Sequence, residues 1–201
     1  MSVAAAAGVT AGIIDFVSFI PYILSILKGK TKPSRTSFGI WSVVSTTLLA
    51  SYFASGARNT IWFILSYTIM QFVVFALSFK CGMGGLSKLD ILCTAGAFIG
   101  IALWIITKNP LTALYISLTV EVIGFLPTFR KSYLHPHTEN TLSWSLCTVG
   151  AIVNLFAITS YALNIALYPF AILACDALVA SLLLFPRRFR SEKLVRLVRM
   201  V

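Results

Sequence analysis

Three of the chain's six acidic residues, Asp15, Glu121 and Asp176, fall inside long apolar runs that contain no Lys, Arg or His. An ionised carboxylate at the centre of a bilayer costs at least about 2.5–3.5 kcal/mol, so an acid in such a run faces a cavity or a polar partner. Its chemistry is then binding of a solute's polar groups, carriage of a proton, or a hydrogen-bonded contact between helices. Gln71 and Asn154 add two amides in similar surroundings. Gln71, Asp176 and Asn154 are the candidate solute ligands, and Asp15 and Glu121 the candidate proton or polar relay. No nucleophile-elbow, zinc-protease, phosphate-loop or kinase signature is present, which argues against an enzyme. Cys81, Cys93, Cys147 and Cys175 are scattered and indicate neither a disulfide framework nor a metal site. His135-Pro136-His137 with Glu139 lacks a further ligand and reads as a solvated loop rather than a metal centre. No cofactor is expected.

The elements that must hold these groups are long apolar helices. The 201 residues are 58% hydrophobic and 11% charged, against about 45–50% and 25% in soluble domains. This balance excludes a disordered chain and fits a helical, multi-pass membrane protein. Breakers divide the apolar runs into seven expected spans, at 5–27, 37–55, 60–79, 91–107, 111–129, 142–159 and 165–185. The net charge of +10 raises the question of nucleic acid, but the cations flank apolar runs and follow the positive-inside rule instead. Fourteen of the sixteen Lys and Arg residues fall on one side of the expected topology, leaving only Arg58 and Lys108 on the other. That bias places the N-terminus outside and the C-terminus in the cytoplasm.

The chain also repeats itself. Asp15-Phe-Val-Ser-Phe-Ile-Pro21 aligns with Glu121-Val-Ile-Gly-Phe-Leu-Pro127 at an offset of 106 residues. Pro33, Trp41, Ser42 and Phe53 recur as Pro136, Trp144, Ser145 and Phe156 at an offset of 103. Gln71 and Asp176 each lie eleven residues into the expected third and seventh spans. With a rise of about 1.5 Å per residue, Glu121 and Asp176 reach the bilayer midplane. Pro21 and Pro127 interrupt the helical hydrogen-bond ladder and are candidate hinges, or else fixed kinks. Trp41 and Trp144 either anchor the helices at the membrane interface or line a cavity.

Two repeats of three helices, a linking helix, a proline within the first helix of each repeat and a Ser/Trp-bearing second helix together resemble the PQ-loop/SWEET superfamily. The likeness covers nearly the whole chain. It is closest to small bacterial members with runs such as Pro21-Tyr22, Gly29-Lys-Thr-Lys-Pro33 and Ile40-Trp41, although Tyr22 and Thr128 stand where a Gln would follow each proline. The resemblance implies an all-α integral membrane protein with seven transmembrane helices, arranged as two parallel three-helix repeats (1–85 and 111–186) joined by a linker helix (86–110). A basic cytoplasmic tail follows at 187–201. It implies a transporter or facilitator moving a sugar-like or amino-acid-like solute by alternating access, in a bacterial inner membrane. In SWEETs the matching third and seventh helices bind sugar through amides, which by resemblance points to Gln71 and Asp176. The alternative is a seven-helix receptor or sensor on the same fold, as in KDEL receptors. The expected partners are a small solute and the lipid bilayer. Gly96 and Gly100 permit close packing of the linker helix, or a contact between two copies.

Overall fold

The computed structural model describes residues 2–83, 88–107 and 109–185. Among them the chain forms α1 (Val3–Leu27), α2 (Arg35–Ala54), α3 (Ile61–Cys81), α4 (Lys88–Thr107), α5 (Pro110–Leu134), a 3-10 turn (Pro136–Thr138), α6 (Thr141–Leu155) and α7 (Leu163–Leu184). Local chemistry sets several of the starts. The Ser2, Ser34, Asn109 and Asn140 side chains each accept a hydrogen bond from a backbone N–H in the first turn of α1, α2, α5 and α6. α5 runs past Phe129, where the apolar run ends, because nothing breaks its ladder until His135 precedes Pro136.

The helices carry bulky apolar side chains on their outer faces and bury polar groups such as Asp15, Gln71, Glu121 and Asp176 inside. α1 exposes Phe16, Val17, Ile20 and Leu24 and buries Gly8, Gly12, Asp15 and Ser18. That inside-out pattern is unsustainable in water and suits lipid, where helices meet through small residues. The protein is an all-α, multi-pass membrane protein. The expectation of seven transmembrane helices is corrected, however. Among the described residues four helices, α1, α2, α3 and α7, are long and apolar enough to cross a membrane. α6 has 15 residues, about 22 Å of helix, short of the roughly 30 Å hydrocarbon layer. The apolar run continues to Thr159, but Phe156, Ala157 and Ile158 bond back by only three residues and the helix tightens into a turn. In α4 and α5 several side chains lie outside those described.

α3 packs against α1 and α2, and α7 packs against α5 and α6. The two groups meet where α1 lies on α6 and α2 on α5, while α4 rests mainly on α5. Glycines allow the closest approaches. A Cβ on Gly8 would run into the Asn59 carbonyl oxygen, and one on Gly124 would lie 2.6 Å from Trp41 Nε1. Gly96 is roomier, its nearest neighbour for an added Cβ being Ile123 Cδ1 of α5 at 4.0 Å. The packing of Gly100, residues 84–87, Lys108 and the basic tail expected at 187–201 lie outside the described residues.

Hydrogen bonds join the two groups at both ends. At one end the Lys131 ammonium donates to the Lys32 carbonyl, Lys32 N–H donates to Thr138 O at 3.0 Å, and Asn140 Nδ2 donates to Pro21 O at 3.2 Å. This end also holds Lys28, Lys30 and Arg35, and Met83 N–H reaches Pro33 O there. At the opposite end the Tyr52 hydroxyl donates to Ile165 O at 2.8 Å, and Asn164 Nδ2 donates to Ser55 O at 3.1 Å. Pro169 has no N–H to offer Ile165 four residues earlier, and Tyr52 supplies the missing donor.

Candidate functional site

A cavity opens where the two groups meet. α3 contributes Gln71 and Tyr67, and α7 contributes Asp176. α1 adds Ser18, Phe19 and Tyr22, α2 adds Phe38 and Trp41, and α6 adds Ser143, Trp144 and Cys147. About 20 Å³ is open to the centres of water-sized molecules, room for about one or two waters. None of its lining residues is Lys, Arg or His.

The deepest polar atoms of this site have no protein partner. Gln71 Oε1, both carboxylate oxygens of Asp176 and the hydroxyls of Tyr22 and Tyr67 are buried without a hydrogen bond. Such groups cost about 1–3 kcal/mol each when left unpaired. Tyr22, Phe38, Trp41, Phe125 and Trp144 form a closed ring of aromatic contacts, with successive centroids 4.6–6.4 Å apart. Phe38 meets Trp41, and Tyr22 meets Trp144, nearly edge-on, as ring quadrupoles favour. The ring stands between the cavity and the lysine-rich end, because its members sit late in α1 and α5 and early in α2 and α6.

Trp41 is fully buried and Trp144 nearly so, which removes both from the membrane interface as anchors. Trp41 Nε1 donates to the Glu121 carbonyl oxygen at 3.0 Å, and Trp144 Nε1 donates to Glu139 Oε2 at 3.0 Å. Glu139 corrects the solvated-loop expectation. Its side chain is fully buried in an ion pair with Lys131, which draws Lys131 inward as well. Among the described residues no group of three His, Cys, Asp or Glu is placed to hold a metal.

Asp15 and Glu121 are completely buried but do not line the cavity. Asp15 Oδ2 accepts from Ser66 Oγ at 2.8 Å, and its other oxygen is unpaired. The Tyr67 hydroxyl lies beside the Glu121 carboxyl without closing a hydrogen bond. Both acids lie within electrostatic range of Asp176. Asn154 is also buried with both amide atoms unpaired, yet stands away from the cavity. It lies one turn beyond Gly150, whose added Cβ would meet Ala11 O of α1. Pro21 and Pro127 lie within continuous helices. The cavity's Ser18, Tyr22, Phe38, Tyr67, Ser143 and Cys147 carry no signal in the repeat that marks them as lining, except that Tyr67 precedes Gln71 by one helical turn and shares its face. Compared with known protein families, curated proteins and solved structures, the chain matches none.

Proposed function

We propose that the protein carries a small polar solute across its membrane by alternating access, α1–α3 and α5–α7 rocking against each other about the central cavity. The observation that carries this reading is the convergence of Gln71 and Asp176. They come from the middle helix of each group, occupy matching places in the repeat, and reach one cavity with oxygens that no protein group satisfies. A solute that sheds water there exchanges hydration for fixed hydrogen bonds. Rocking requires ties that break at one end while holding at the other. The Lys131–Lys32 and Asn140–Pro21 contacts serve at the lysine-rich end, and Tyr52–Ile165 and Asn164–Ser55 at the opposite end. Pro21 and Pro127 act as hinges beside the aromatic ring. Asp15 and Glu121 form a relay behind Asp176. The resemblance to the PQ-loop/SWEET superfamily supports the same reading, and the positive-inside rule turns the lysine-rich end to the cytoplasm.

Counterflow with the purified protein in liposomes tests this, using labelled sugars, amino acids and small amines. At least one solute is expected to exchange, and Gln71→Ala and Asp176→Ala are expected to suppress that exchange while the protein remains folded and inserted. If the solute is coupled to protons, an amide at Asp15 or Glu121 removes the effect of a pH gradient and leaves counterflow intact. A solute that binds saturably but never exchanges would overturn transport in favour of a receptor.

A further inference from the structure

Within the site just described, and resting on its reading as a solute site, we propose that the occupant is a compact organic ammonium ion. Its charged nitrogen would sit between the Asp176 carboxyl and the rings of Trp41, Trp144 and Tyr22, with the Gln71 amide bonding a hydroxyl or carbonyl at its other end. Charge sign comes first. Asp176 is buried with both oxygens unpartnered, and Asp15 and Glu121 lie within range of its charge. Lys131 is the one buried cation among the described residues, and Glu139 pairs with it outside the cavity. An anion therefore meets carboxyl groups with no cation beside them, whereas an ammonium group donates to the Asp176 oxygens that no protein group pairs.

The lining selects further. Six of the eleven lining residues are aromatic, and π-faces attract desolvated ammonium and alkylammonium groups. The polar groups are too few for a polyol. Ser18 is bonded to Asp15 O and Cys147, and Ser143 is bonded to Asn140. That leaves Gln71 and Asp176 to serve a solute, with the Tyr22 hydroxyl beside Glu139 and the Tyr67 hydroxyl beside Glu121. A sugar ring would bury several hydroxyls without partners, while an ammonium with one further polar group would satisfy the site and place its alkyl groups against the rings.

The test is titration calorimetry, with tryptophan fluorescence in parallel, on the full chain in nanodiscs. The probes are choline, ethanolamine, glucose, and 3,3-dimethylbutan-1-ol, which has choline's shape with carbon in place of the charged nitrogen. Choline or ethanolamine is expected to bind saturably and at least about ten-fold more tightly than the uncharged alcohol. Asp176→Asn is expected to erase most of that preference, and Trp144→Leu to weaken choline without strengthening the alcohol. The comparison of choline with the alcohol is made on the unmodified protein, so it stands even if a variant fails to fold. Equal binding of the two, full choline affinity in a folded Asp176→Asn protein, or binding of glucose alone would each overturn the ammonium assignment. Counterflow of a neutral solute that depends on Gln71 and Asp176 would overturn it too while leaving transport standing. Absence of saturable binding by both amines also overturns it, whatever counterflow shows.

Discussion

Two buried acids in this protein have opposite circumstances, and the difference assigns their roles. Glu139 accepts from Trp144 Nε1 and pairs with Lys131, so its charge is compensated and its geometry fixed. Asp176 has no such partner. Removing one member of a buried ion pair strands the other, at a typical cost of about 3–5 kcal/mol, whereas removing both together costs much less. Lys131→Met is therefore expected to destabilise the fold by about that much, and Lys131→Met/Glu139→Gln by clearly less. Unfolding by SDS in mixed micelles measures both. Equal losses in the single and double variants would mean that the pair does not act as a unit. Asp176→Asn should leave unfolding nearly unchanged, since no protein contact of its oxygens is lost. A loss as large as that of Lys131→Met would make Asp176 a structural group.

Helices here are joined less by bulk than by close approach and by donors placed where the backbone lacks one. Gly124 lets α5 lie against Trp41 of α2, so an added Cβ at 2.6 Å from Nε1 must move the indole and break its bond to Glu121 O. Gly124→Ala is expected to cost about 1–3 kcal/mol and to shift tryptophan emission. Gly96→Ala, with its nearest neighbour at 4.0 Å, is expected to be neutral or slightly stabilising, since Ala is the better helix former. Similar penalties at the two positions would mean that the close contact of α2 with α5 is not what Gly124 serves. At the other end, Tyr52→Phe takes away the donor to Ile165 O beneath Pro169. An unsatisfied buried carbonyl costs about 1–3 kcal/mol, visible as a lowered unfolding midpoint. A wild-type midpoint would mean that this bond contributes little.

At the scale of the whole molecule, the positive-inside rule predicts that the lysine-rich end faces the cytoplasm. In a protein freed of its four cysteines, a Tyr161→Cys thiol at the end opposite the lysines should react with a membrane-impermeant reagent on intact cells. Lys30→Cys should react only after permeabilisation, and the reverse pattern would invert the orientation. Membrane embedding was legible in the sequence, because apolar composition is a property of the chain in one dimension; Gln71 and Asp176, singled out there by matched spacing, line one cavity. The number of long apolar helices was not legible, since α6 ends in a turn four residues before its apolar run does. Hydropathy records solubility in lipid and not where the backbone ladder stops. Nor did the sequence decide that Trp41 and Trp144 line a cavity, that Asn154 stands apart from it, or that Lys131 leaves the surface to meet Glu139. Each depends on which faces of distant helices meet. Trp41 reaches the Glu121 carbonyl across 80 positions of sequence, and no local pattern records such a meeting. The sequence by itself determined which groups must avoid lipid; tertiary packing decided which of them share a cavity, because a buried polar group takes its role from the atoms around it.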